Sequence, residues 1–125
     1  MPNVLTEPDR LGDLIKLEED QHYSRDEVTV ELGQTLTPGM VVAMHGSTMQ
    51  VIQINPGASD GQGDAYGIAI EEVDATTEEK KTVIIARHSL VAEDALIWPA
   101  NIPANKLRKG LEDLRALGII LRKDA

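Results

Sequence analysis

The chain has 125 residues, 21 acidic against 12 basic for a formal net charge of −9, no Cys, no Phe and an aromatic share of only 2%. A single domain of this length buries roughly two-thirds of the surface its unfolded chain exposes, and with aromatics so scarce that burial must come from Val, Ile, Leu, Met and Ala. Zero Cys excludes disulfides, thiolate catalysis and Cys-based metal sites, while the acidic balance opposes contact with phosphate backbones and excludes nucleic acid as a direct partner.

The start, "MPNVLTEPDR", lacks the basic and apolar regions of a signal peptide, and no later stretch has the length to span a bilayer. The expectation is a soluble protein made in the cytoplasm, with no membrane partner. Residues 1–26 read as an arm: Pro2 and Pro8 break regularity and charges interrupt any sustained pattern. Within it, Leu11, Leu14, Ile15 and Leu17 form an apolar cluster. Helical spacing fits 11, 14 and 15, and a short strand fits "LIKLE"; periodicity leaves both open. The cluster either packs on its own body or orders on a partner.

From Glu27 the pattern changes to strands. "EVTVEL" alternates, and in "GQTLTPGMVVAM" the pair Pro38-Gly39 suits the central positions of a type II turn. "MVVAM" and "MQVIQI" flank His45-Gly46-Ser47-Thr48 as a hairpin, and "NPGASDGQGDA" is a Gly-rich loop. "YGIAIEEV", "KTVIIAR" and "HSLVAEDALIW" supply further strands. The helix is expected at about 103–117, with Pro103 in its first turn, a stripe of Leu107, Leu111, Leu114 and Leu117, and Gly118 just past its end. "IILR" then resumes extended structure. The fold class is mainly β with one C-terminal helix: a small barrel or β-clip-like (β-tulip) domain over 27–125, preceded by the arm.

Charge is unevenly placed. Nine acidic residues lie between Glu7 and Glu31, whereas Lys106, Arg108, Lys109, Arg115, Arg122 and Lys123 crowd the end. A solvated surface explains this, and so does head-to-tail or partner electrostatics. Scarcity of aromatic burial makes an oligomer a natural source of the missing apolar contact.

Motifs that carry chemistry are few. Asp60, Asp64 and Glu71 match the first, fifth and twelfth places of a calcium loop, but Ala65 stands where a sharp turn needs Gly and both flanks read as strands, so no metal is expected. His22, His45 and His88 have no ligating spacing. No nucleophile elbow, phosphate loop or dinucleotide fingerprint occurs, so neither cofactor nor enzymatic activity is expected. Trp98, followed by Pro99, which holds it extended, is either a core anchor or a subunit-interface residue.

"GQTLTPGMVVAM", "DAYGIAIEEVDATTEEKKTVIIAR" and "EDALIWP", followed by a short helix and a closing apolar strand, together resemble the lambda-type bacteriophage head decoration proteins over residues 27–121. That resemblance implies a homotrimer on the outside of the phage head at three-fold and quasi-three-fold positions, stabilising the shell by clamping the major capsid protein. It implies an arm that orders on the capsid by adding extended structure to a capsid element, here through Leu11, Leu14, Ile15 and Leu17. A different class stays open: "GQTLTPGMVV" also resembles the strand-turn-strand of β-clip domains, which would make this a small carbohydrate- or ligand-binding module.

Overall fold

The computed structural model describes residues 14–18 and 24–123. Ten strands are present: β1 Ile15–Glu18, β2 Arg25–Val30, β3 Thr35–Leu36, β4 Val41–His45, β5 Gln50–Gln53, β6 Gly67–Ala69, β7 Val73–Asp74, β8 Lys80–Ile85, β9 Ser89–Ala92 and β10 Ile119–Arg122. One α-helix, α1, spans Ala104–Ala116, and a 3₁₀ turn occupies Glu93–Ala95.

Five strands form a closed ring in the order β2-β5-β4-β6-β8. β2 runs against β8 over its whole length, but meets β5 at one pair only, Val30 opposite Val51. The interior is built by alternation, since successive side chains of a strand point to opposite faces. Each ring strand sends one fully buried hydrophobic residue into it: Val30, Val42, Val51, Ala69 and Ile84, with Leu36 and Ala75 packed beside them and Val28 and Met44 partly buried against them. A two-stranded pair, β3 with β7, carries Leu36 opposite Val73.

The outside of the ring wall is also apolar. Val41 and Ala43 of β4, Ile52, Ile68 of β6 and Ile85 of β8 join a second core with Leu14, Val91, Leu114 and Ile119. These last four belong to the outer layer, which comprises α1 and a three-stranded sheet ordered β1-β9-β10. β1 is antiparallel to β9, and β10 is parallel to it. Burial on both faces explains why "GIAI", residues 67–70, is buried without a break instead of alternating.

The turn at Pro38-Gly39 forms as the sequence implies: the Met40 N–H donates to the Thr37 carbonyl at 3.1 Å, and Gly39 has φ +97°. A β-carbon on Gly39 would strike the Ala95 carbonyl oxygen. Two sequence expectations are refined. The stretch "YGIAIEEV" splits into β6 and β7, which pair with different partners, and the end of "HSLVAEDALIW" is a 3₁₀ turn followed by a single bridge, Ile97 to Met40. The helix begins one residue after Pro103, whose carbonyl accepts from the Lys106 and Leu107 N–H groups.

Gly39→Ala combines left-handed backbone strain, about 1–2 kcal/mol for an L-residue, with a collision against the chain segment that carries Leu96 to Trp98. We expect thermal denaturation to show a lower Tm for this variant, whereas Gly33→Ala, also at positive φ but with nothing within 4 Å, loses less.

Candidate functional site

Of the four residues expected to dock on a partner, Leu11 lies outside the described residues. Leu14 is buried in the outer core at 1% exposure, Ile15 packs against that core, and the Leu17 backbone sits opposite Leu90 in β9. The structure therefore seats β1 on the body. The seat is reinforced where β2 begins. Arg25 grips Glu18 with two parallel bonds, Nε to Oε2 at 2.9 Å and Nη2 to Oε1 at 2.8 Å, a geometry that fixes orientation as well as distance. The Ser24 hydroxyl donates to the His88 carbonyl, and the Ser24 carbonyl accepts from the Ala86 and Arg87 N–H groups. Among the described residues, the outer side of β1 and that of β10 have no strand neighbour. An open edge offers unpaired backbone donors and acceptors to another chain.

Trp98 is half-buried, at the margin of the outer core. The Cζ3–Cη2 edge of its six-membered ring meets the helix where α1 has Gly110: a β-carbon there would come within 2.5 Å of Cζ3 and 2.7 Å of Cη2. The segment just before it is stitched to β4, with the Ile97 N–H donating to the Gly39 carbonyl (2.8 Å) and the Val41 N–H to the Ile97 carbonyl (3.2 Å). Pro99, also half-buried, follows at once. The indole thus joins ring wall to helix. Just past the C-terminal end of α1, Gly118 takes φ +82°, and its missing β-carbon leaves room for the His88 ring, whose Cδ2 would otherwise be 2.6 Å away.

The Gly-rich loop is tied to this same helix. Asp113 accepts from the Ala65 N–H at 3.1 Å and from Lys109 Nζ at 2.9 Å, and Lys109 also donates to Asp64 at 2.6 Å. Asp64 first and Asp113 second hold the Lys109 ammonium above its ordinary pKa. Asp60 is engaged elsewhere, accepting from the Ser47 hydroxyl and N–H, and the Ser47 hydroxyl chiefly holds its carboxyl below the usual range. Glu71 accepts from the buried Thr82 hydroxyl. The three acids thus hold separate partners, and no group of three metal-ligating side chains exists among the described residues. His45 is bracketed by acids, its Nδ1 2.8 Å from Glu31 and its Nε2 3.6 Å from Asp60. His22 lies outside the described residues. Also among these residues, no helix is long and apolar enough to cross a membrane.

This architecture, two aliphatic layers with an edge sheet and a tryptophan-braced helix, is that of a small structural β domain. The family model of bacteriophage lambda head decoration protein D matches residues 4–119, nearly the whole chain. The chain belongs to that family of phage head decoration proteins, structural components of the viral capsid. A search of curated proteins finds no match.

Two measurements check the braces. Gly110→Ala overpacks the Trp98 contact, and we expect a loss of about 1–3 kcal/mol in denaturant unfolding. Lys109→Gln removes a cation whose raised pKa makes its contribution complete below the ordinary lysine range and lost as pH climbs through the raised value. We expect faster hydrogen exchange at the Ala65 amide in that variant at neutral pH, with the global unfolding midpoint little changed because the site is largely solvated.

Proposed function

We propose that this protein attaches to the outside of the phage head as a homotrimer at three-fold and quasi-three-fold positions and stabilises the shell by holding neighbouring copies of the major capsid protein. The family match over residues 4–119 carries the reading. The N-terminal segment makes the contact. Leu14 and Ile15 anchor its root on the body, and we assign the capsid contact to Leu11, Leu17 and the open side of β1. Main-chain pairing along an open strand gives affinity, and alternate side chains give specificity.

The thirteen residues ahead of Leu14 span at most about 43–47 Å when extended, enough to leave their own subunit and reach a neighbour in the shell. Three such segments on one body make each later attachment intramolecular, which raises avidity by about 10²–10⁴ without any new contact. Weak single contacts suffice for a strong clamp. No catalytic step enters this role, and neither nucleic acid nor membrane is a partner. The protein is made in the host cytoplasm and ends on the virion exterior.

Deleting residues 1–13 spares β1 and both cores, so the variant is expected to fold with an unchanged circular dichroism spectrum and melting profile. Its binding to undecorated, expanded heads in a pelleting assay should fall at least tenfold. Normal decoration by the truncated protein would remove the arm from the mechanism.

A further inference from the structure

The ring closes at a seam. β2 is parallel to β5 there and meets it at one pair, Val30 opposite Val51, where the Glu31 N–H donates to the Val51 carbonyl at 3.0 Å. The chain then turns at Leu32-Gly33, with the Gln34 N–H on the Glu31 carbonyl at 3.1 Å. β5 runs on past this point. Opposed residues of an antiparallel pair alternate between exchanging main-chain bonds and not doing so. The Ile54 N–H donates to the Val41 carbonyl, so Gln53, opposite Val42, directs its main-chain groups away from β4 and towards the side that β2 has left. There the Gln34 side chain stands in for a strand: its Oε1 accepts from the Gln53 N–H at 3.0 Å, in the place of the next ladder bond. Among the described residues no strand takes the Gln53 carbonyl on that side.

A groove of about 330 Å³ lies at this gap, lined by Gln34, Gln53, Asn55 and Gln62 and walled by Pro56 and Pro99. Its one ionisable side chain, Glu31, is already engaged, accepting from the Thr48 hydroxyl at 2.7 Å and lying 2.8 Å from His45 Nδ1. The Gln53 and Asn55 side chains have no hydrogen-bond partner among the described residues. A carboxamide both donates and accepts, so this lining suits the amides of a polypeptide main chain. It offers no counterion to a charge, which would lose hydration on entering without replacement.

We propose that this groove takes an uncharged, extended segment of a capsid subunit, laid along β5 where β2 stops. This adds a second attachment point to the head binding proposed above and rests on that reading. The incoming main chain pairs with the Gln53 carbonyl, and the Asn55 and Gln62 carboxamides bond its further amides. Main-chain pairing supplies affinity, and the exclusion of charge supplies selectivity. The open-edged strands of this chain are poorer occupants, since β1 carries Lys16 and Glu18 and β10 carries Arg122. The groove belongs to the ring, whereas β1 belongs to the outer layer, so the two head contacts separate experimentally.

The experiment is pelleting of the full chain with undecorated, expanded heads, as wild type, Asn55→Asp and Asn55→Lys, with sedimentation and circular dichroism on each free protein. Asn55 is exposed and its side chain bonds nothing among the described residues, so folding is retained. We expect both variants to bind heads about fivefold more weakly or worse, as for the loss of one hydrogen bond, although they change the charge in opposite directions. Self-association of the free protein is expected to stay as in the wild type. Head binding retained by both variants overturns the groove contact alone and leaves head decoration in place. A loss for one sign only assigns the groove to a charged occupant, and weakened self-association assigns it to a second copy; either overturns the proposal. A wild type that does not pellet with heads overturns both this contact and the decoration reading.

Discussion

The rest of the structure depends on a wall that is apolar on both sides. In β4, Val41 and Ala43 belong to the outer core while Val42 belongs to the inner one. β8 divides in the same way, with Ile84 inside and Ile85 outside. A conventional small barrel hides one face of each strand and wets the other, which is adequate where Phe and Trp fill the middle. This chain has no Phe and one Trp, and each aliphatic side chain buries less area than an aromatic ring. Using both faces of the same strands recovers burial without larger residues. The outer layer of α1, β1, β9 and β10 is therefore a requirement, because without it Val41, Ile52, Ile68 and Ile85 would lie in water.

That requirement explains where the single indole goes. The helix has to be held against the ring wall by the chain that leads into it, and the lead-in is extended, short and ends at Pro99. A bare Gly at position 110 lets the edge of the ring close on the helix backbone. A small residue facing a large one closes the joint at van der Waals distance, which a pair of medium side chains cannot do over so short a span. Gly118 against His88 repeats the device at the helix's far end. The two glycines let ring contacts locate the middle and the C-terminal end of α1, while Leu114 is sealed between them at 0% exposure.

Local signals in the sequence foretold what local geometry decides. Pro38-Gly39 turned as its residue types demand, Gly118 took the left-handed place after the helix, and the leucine spacing placed α1 within one residue at each end. What the sequence withheld was pairing between distant segments. Nothing in "TL" at 35–36 announces Val73, and nothing in "IILR" says that it runs parallel to β9, because partner choice depends on contacts closed across tens of residues. The "GIAIEEV" stretch misled for a related reason: continuous burial blurs the period-2 signal, so the break at Ile70 to Glu72 was invisible. The stretch at Leu11 to Leu17 stayed ambiguous because four residues of strand cannot display a period. Its resolution for Ile15–Glu18 came from Arg25 and Glu18, a pair seven residues apart that no pattern rule singles out.

Charge then sorts what the open edges are free to do. A strand edge invites any passing strand, and among the described residues β1, β10 and the β2 seam each leave a side without a strand neighbour. A net charge of −9 makes indiscriminate meeting of two copies unfavourable at long range. The repulsion is weakest when segment 104–123 of one copy, six basic and two acidic residues for a net +4, approaches acidic chain of the next, because unlike charges then meet first. An acidic chain with one basic end is thus biased against edge-to-edge aggregation and towards one orientation of encounter.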